Sequence, residues 1–464
     1  MPTRSDGQRT TEISEQPELL SVLYDIKDML TQLSDTGPHA AAASIPVAFP
    51  VDQDLCVNVK NQPIVDLDSS YLSAFGTLET AELTPLVQLD WIYGINTQTG
   101  STTGTTGTVA TATTSSGRLA LTCGTDNNGQ AVFTSRRTAK YRPGQGITAR
   151  FTTIFTNNLS GNTQIAGIGN AVDGYFVGYN GTSFGFLLRT NSVDTWIPQI
   201  SWNQDGCDCH DKFKIDTTKG NVWQIKYPYL GYGDIKFYVQ NPATSRWILC
   251  HIIKYANAYT ALQVTNPNLN FYAQNINSGN TTSTIMYVGS VGVFLSGTRS
   301  FIGSPKWAID SIKTNISTTE TNVITLKNCT TYNGVTNRSL IRLHSLSVSN
   351  QTNNNLCRIR FRINATVTDP GGGSAVAFTT INGTTANAGV TITAGNSGTS
   401  YDVNGTTTSA GTYIYNVNCG PNSNTIIDLT PFDIFVAPTE LLTISAVNTV
   451  SSDVAISINW TEDI

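Results

Sequence analysis

Charge is scarce in this chain: Asp, Glu, Lys and Arg together make up 13% of its 464 residues, against a usual ~25%. No Lys/Arg stripe appears and the net charge is −5, which excludes a nucleic-acid binder that neutralises phosphates. No apolar run approaches the ~20 residues that a membrane helix needs, so no membrane partner is expected. Met1 to Thr11 is polar and has no apolar h-region, so no classical signal peptide is expected. Histidine is limited to His39, His210, His251 and His344. No nucleophile elbow, P-loop or H-E-x-x-H pattern occurs, and no cofactor is implied. Paired glycosidase carboxylates meet only in space, but acidic residues number just 32 and most fall in turns or near the N-terminus. No enzyme is expected.

The residues that replace charge are Thr, Asn, Ser and Gly. With 7 Trp, 18 Tyr and 17 Phe, the chain is too aromatic and too weakly charged for disorder. Thr, Tyr, Val and Ile favour strands, and Asn, Gly and Ser favour the turns between them. The expected fold is mainly β: a short N-terminal helix and extended arm, then two antiparallel β-sandwich (jelly-roll-like) domains. The divisions fall at 1–38 for the helix, 39–84 for the arm, 85–300 for the first sandwich and 301–464 for the second. Asn180-Gly181, between apolar runs, signals a hairpin, whereas Thr97 to Gly117 reads as a low-complexity Thr/Gly loop.

One stripe breaks the β pattern. Leu19, Leu23, Ile26, Leu30 and Leu33 are spaced 4-3-4-3, the a/d rhythm of a coiled-coil seam. Two heptads are marginal alone, so the stripe needs copies of itself, a homotrimer being favoured, or a groove on another protein. Pro38 ends it. The arm that follows carries Ile45, Val47, Phe49 and Val51 among prolines at 46, 50 and 63; these exclude central-strand pairing and suit a segment laid across a neighbouring subunit's sheet edge.

Two stretches carry a family resemblance. Ser44-Ile-Pro-Val-Ala-Phe-Pro-Val-Asp-Gln-Asp54 resembles an arm found in tailed-bacteriophage virion proteins. Lys140-Tyr-Arg-Pro-Gly-Gln-Gly-Ile-Thr-Ala-Arg-Phe151 resembles the start of a β-sandwich module recurring in phage and large DNA virus structural proteins, with further fragments through residue 297. The resemblance covers about half the chain and implies a non-enzymatic virion component, assembled in the host cytoplasm with other virion proteins. A fibre, collar, baseplate or head-decoration role would fit, the N-terminus anchoring and the β-domains facing outward. The alternative is a tail attachment protein that binds a receptor or host-surface glycan.

Few residues suggest a site. Tyr229 and Tyr232, beside Pro228 and Gly231, are expected at an exposed turn where their rings could stack on sugars. Trp223 and Ile225 alternate as core residues do. Asp205, Cys207, Cys209 and His210 form the densest potential metal cluster, with Asp208 and Asp211 as carboxylate alternatives for calcium; C-x-C-H lacks the pairing of structural zinc sites, and a plain polar turn is expected. The eight cysteines are scattered, mostly within strand patterns, and read as small buried hydrophobes. A disulfide set would form only in an oxidising medium. Arg358, Arg360 and Arg362 share one strand face and are expected to meet acidic neighbours.

Overall fold

Period-two alternation builds many of the longer strands. The strand Cys357–Ile363 reads C-R-I-R-F-R-I, with Cys357, Ile359, Phe361 and Ile363 turned to the core and the arginines outward, as a strand buried on one face requires. A computed structural model describes residues 82–464 apart from 103–105, 157–158, 210–212, 300–303, 333, 352–354, 371–375 and 388–389. The helical seam of Leu19, Leu23, Ile26, Leu30 and Leu33 and the arm of Ile45, Val47, Phe49 and Val51 lie outside the described residues.

The strands form two antiparallel sandwiches. In the first, an eight-stranded sheet runs in the order Trp247–Ile253, Ile235–Gln240, Asn221–Tyr227, Ile147–Phe155, Ile285–Ser296, Arg118–Thr122, Thr111–Ser115, with Leu83–Leu89 also on Ile285–Ser296. It faces a seven-stranded sheet ordered Val193–Pro198, Ser183–Thr190, Gly174–Asn180, Asn162–Gly169, Leu269–Asn277, Gln130–Ala139, Gly100–Thr102. The second sandwich pairs a five-stranded sheet around Ser452–Asp463 and Leu340–Asn350 with a six-stranded sheet around Thr321–Asn328, Leu441–Val447 and Cys357–Ile363. Both belong to one compact unit, Leu67–Ile464.

Each sandwich has its own core. Aromatics fill the first: Phe186 stacks between Trp202 and Phe237 at 4.3 Å from each, and Phe271 touches Phe133 and Phe151. Trp223 and Ile225 are buried there, as their alternation predicts. Each such side chain contributes on the order of 1.5–3 kcal/mol. Aliphatics dominate the second core, around Ile324, Leu346, Ile359, Ile444 and Ile458. A polar knot also sits inside the first sandwich: Asn162 Nδ2 donates to Asn275 (3.1 Å) and Asn277 (3.0 Å), and Asn275 donates to the Leu121 carbonyl (2.9 Å). Because a slip would leave these amides unpaired in a dry interior, the knot opposes strand-register errors.

Several local expectations meet the structure directly. Asn180 and Ser183 pair across a two-residue turn in which Gly181 takes φ +58°. Arg360 and Arg362 both bond Glu320, at 2.8 Å, while Arg358 is exposed. Burial alone would push the Glu320 carboxyl up, but bonds from Arg362, Ser445, Arg360 and Tyr413 hold it at about 2. The Thr97–Gly117 loop is a correction: Gly100–Thr102 and Thr111–Ser115 within it are strands. Their threonines suit a pleated edge, and each pairs with a strand whose flank would otherwise be open.

The stretch 140–151 carries contacts between the two sandwiches. Gly144 takes φ +86° in the turn that leads to Ile147–Phe155, and Gln145 Nε2 donates to the carbonyls of Ser296 (3.1 Å) and Thr298 (3.0 Å). Three residues before that turn reach outward. Lys140 Nζ donates to the Arg338 carbonyl of the second sandwich. Tyr141 packs edge-on against Tyr229 at 5.0 Å. Arg142 pairs with Asp463, which is fully buried and also engages Arg299 and Arg342.

Lys140 is buried. Loss of hydration, joined by repulsion from Arg142, Arg299 and Arg338, outweighs the attraction of Asp463 and lowers its ammonium from the ordinary 10.5 to about 7. A lysine with a depressed folded-state value binds fewer protons folded than unfolded between those two limits, so stability rises with pH across that window. Wild-type protein should gain on the order of 1–2 kcal/mol between about pH 7 and about pH 9 in urea titrations, and Lys140→Met should flatten that slope. Equal slopes in the two proteins would contradict the assignment.

Candidate functional site

Two loops of the first sandwich form a surface of exposed aromatic and aliphatic side chains. The segment 228–233 joins Asn221–Tyr227 to Ile235–Gln240, and 255–264 precedes Leu269–Asn277. Their backbones are tied together: Gln263 N–H donates to the Gly231 carbonyl (3.2 Å), and Gln263 Nε2 donates to the carbonyls of Tyr229 (3.4 Å) and Gly233. The Gln263 side chain is buried and its Oε1 accepts from the Tyr175 hydroxyl at 2.7 Å. Tyr232 Oη donates to the Thr260 carbonyl at 2.7 Å.

Backbone strain marks the tip. Tyr229 and Leu230 take φ values of +51° and +46°, followed by Gly231 at +82°. Left-handed conformation costs a bulky residue roughly 1–2 kcal/mol, and here two non-glycine residues adopt it in succession. The turn is held by Gly233 N–H donating to Tyr229 O (2.6 Å) and by Leu230 N–H donating to the Tyr141 hydroxyl (3.2 Å). The result is a leucine held up in water. Leu230 is 56% exposed, and the same two loops expose Leu262 (45%), Tyr232 (37%) and Tyr259 (57%). Tyr259 stacks on Tyr255 with 4.5 Å between ring centroids, leaving its other face open.

The structure corrects half of the tyrosine expectation. Tyr232 is exposed, but Tyr229 is only 8% exposed. The left-handed turn rotates its ring inward, where it meets Tyr141 and its hydroxyl donates to the Val264 carbonyl at 3.1 Å. Tyr229 is therefore a support beneath the surface. Burial pushes the phenols of Tyr229, Tyr141 and Tyr255 up, so all three stay neutral at physiological pH. Tyr259 and Leu262 are additions that sequence reading missed. Their signal is faint: Tyr255 and Tyr259 are four apart in a segment with no strand periodicity.

The second sandwich steadies these loops. Asp173, buried, accepts from Thr265 N (2.9 Å), Thr265 Oγ1 (2.6 Å) and Asn191 N (3.2 Å). Arg338 Nη2 reaches it at 2.9 Å and Arg338 Nη1 donates to the Asn266 carbonyl at 2.7 Å. Burial alone would raise the Asp173 carboxyl, but these bonds leave it below the usual carboxylate range. Between the sandwiches lies a cleft of about 770 Å³ lined by Asn170, Asn270, Thr138, Asn337, Arg338 and Glu440 among others. Its charges are internally matched: Arg136 Nε donates to Glu440 Oε1 at 2.6 Å.

The potential metal cluster does not assemble around Cys207. Asp205 Oδ1 accepts from the Cys207 N–H at 2.8 Å, making a local turn, and the Cys207 thiol faces Cys250. His210, Asp211 and the Cys209 side chain lie outside the described residues. Among the described residues no three His, Cys, Asp or Glu side chains gather as a metal would need.

No protein-family model matches this chain, and no curated protein does. Among solved structures, the carbohydrate recognition domain of Emp47p is 12% identical, covers 50% of this chain and 100% of its own, and has a TM-score of 0.28. Arcelin-5, a lectin-like defence protein from Phaseolus vulgaris, is 10% identical over 46% of this chain and 99% of its own, at 0.31. A glycosyl hydrolase family protein from Mycobacterium fortuitum is 12% identical over 44% of this chain and 100% of its own, at 0.30. Likenesses this weak bear on neither the fold nor the chemistry of this chain.

The strained tip makes a stability prediction. Because Leu230 loses in backbone energy much of what its packing supplies, Leu230→Gly should shift unfolding free energy by less than about 1 kcal/mol. A buried leucine such as Leu269, truncated to alanine, should cost about 2–5 kcal/mol. Comparable losses in chemical denaturation would show that Leu230 is an ordinary packing residue.

Proposed function

We propose that this chain is a non-enzymatic binding protein whose loops 228–233 and 255–264 recognise a glycan. One observation carries the reading: a strained backbone keeps Leu230 exposed on the same pair of bonded loops that expose Tyr232 and Tyr259. Strain of this kind persists where surrounding structure over-determines it, and it clusters at functional sites. Tyrosine offers an apolar ring face and a polar edge together, the pairing that a sugar's C–H face and hydroxyl rim demand. Neutral phenols and backbone carbonyls suit an uncharged, hydroxyl-rich ligand better than an ionic one.

The carboxylates speak against hydrolysis. A glycosidase's general acid needs a raised pKa near its bond of attack. Asp173 and Glu320 are shifted the opposite way, and Asp402, Glu462 and Asp463 are engaged by hydrogen bonds or ion pairs. A second reading concerns where the protein works. The segments 44–54 and 140–151 support a virion component, anchored by the N-terminal seam and displaying the sandwiches to host glycans. Labelled antibody on intact particles tests that setting separately from ligand binding.

Binding of the full chain to a glycan array tests the main reading. Tyr259→Ala should weaken the selected glycan by at least about tenfold, ~1.4 kcal/mol, while Tyr259→Phe should keep most of the affinity. Full binding by Tyr259→Ala would place recognition elsewhere, and absence of any glycan ligand would overturn the reading.

A further inference from the structure

The loop that carries Asp205 and Cys207 covers an exposed sheet edge. Trp247–Ile253 is the outermost strand of the eight-stranded sheet, and an open edge is a template for pairing with another chain. Here it is capped by residues 203–207. Asn203 Oδ1 accepts from Ile252 N–H (2.9 Å), Asn203 Nδ2 donates to the Ile252 carbonyl (2.8 Å), and Asn203 N–H donates to His251 Nδ1 (3.2 Å). Gln204 and Asp205 N–H both donate to the Cys250 carbonyl at 3.2 Å. The cap is thus bonded to the edge mainly through side chains and single carbonyls, without a continuous ladder.

Beneath that cap the two sulfurs of Cys207 and Cys250 stand 3.6 Å apart, both buried, on chain positions 43 residues apart. Both are free thiols in the structure. We propose that Cys207 and Cys250 are a latent disulfide that closes when the chain meets a disulfide oxidant such as oxidised glutathione, stapling the cap to the sheet edge. The Cys207 thiolate attacks one sulfur of the oxidant, releasing one glutathione thiolate and leaving a mixed disulfide. The Cys250 thiol then gives up its proton, and its thiolate attacks the Cys207 sulfur and expels the second glutathione. Two protein thiols are oxidised and one oxidant disulfide is reduced to two thiols, so electrons and protons balance.

Geometry favours this pair over the other close one. Cys357 and Cys419 lie directly opposite each other on paired strands, a spacing that a disulfide can span. However, the Cys419 thiol donates to the Ser423 carbonyl at 3.2 Å and accepts from Thr425 Oγ1 at 3.6 Å, which turns it away to the strand Ser423–Asp428. The Cys207 cap can open locally, since few ladder bonds hold it; Cys357 lies on a strand paired on both sides, between Leu441–Val447 and the outermost strand Thr412–Cys419, and opens less readily. Burial pushes the Cys250 thiol well up, so closure awaits such an opening and is slow.

Incubating the folded full chain with oxidised glutathione at about pH 8.5, then digesting without reductant, tests the proposal. Mass spectrometry should find the Cys207–Cys250 peptide pair before any other. The oxidised protein should melt higher by on the order of 5 °C, because the bond closes a long loop, and reductant should reverse the gain. Cys207→Ser should abolish both the linked peptide and the oxidant-dependent shift. Should that variant not fold, the wild-type peptide map alone decides. A first bond at Cys357–Cys419 or Cys209–Cys250, no bond at all, or a lowered melting temperature on closure would each overturn it.

Discussion

Ion pairs join the two sandwiches of this protein, and Asp463 gathers the most arginines among them. Asp463 is removed from water and engaged by Arg142 from the first sandwich, Arg299 from the segment between the sandwiches, and Arg342 from the second. Burying a charge costs several kcal/mol unless partners and hydrogen bonds compensate; here three cations surround one anion. Desolvation and the neighbouring cations weaken the hold of Arg342 on its proton, lowering it to about 10, yet it remains charged at physiological pH. Asp433 shares the excess positive charge, pairing with Arg342 at 2.7 Å and with Arg137. The cluster opposes a tilt between the sandwiches, which would pull half-buried arginines away from a fully buried carboxylate.

From that cluster a continuous path leads to the exposed loops. Arg142 belongs to the same triplet as Lys140 and Tyr141. Tyr141 supports the Tyr229–Leu230 turn, and Lys140 bonds the backbone of Arg338. Arg338 in turn holds Asp173 and the Asn266 carbonyl, next to Thr265 and Gln263. The scarcity of charge thereby acquires a structural meaning. Several of the few charges gather at the junction, where geometry is specified by ion pairs, and the outward aromatic tip is left to neutral groups.

The β fold was legible because alternation is local: Cys357–Ile363 and Asn221–Tyr227 declare their faces within a few residues, and Asn180-Gly181 declares its turn. Arg360 and Arg362 needed an anion, and the composition could say so without saying that Glu320 would be it. The junction was not legible, since Arg142, Arg338 and Asp463 are separated by hundreds of residues and look like ordinary surface charges. The stretch 140–151 drew attention only through a resemblance, and the coupling work of Lys140, Tyr141 and Arg142 appears only in three dimensions. Tyr229 and Tyr232 illustrate the limit at the site. Both border a Pro/Gly turn, yet a left-handed backbone sends one ring inward and leaves the other in solvent, and no side-chain identity announces that choice.

The central claim is that the two sandwiches, each with its own core, act as one body because a set of ion pairs binds them, with Asp463 the most heavily engaged anion. Equilibrium urea unfolding of wild-type and Asp463→Ala, followed by tryptophan fluorescence and circular dichroism, tests it most directly. Wild-type protein should unfold in one transition by both probes. Removing the carboxylate leaves three half-buried arginines short of an anion, which should cost about 3–5 kcal/mol and lower the midpoint of unfolding. A variant that unfolds in a single transition at the wild-type midpoint would contradict the account.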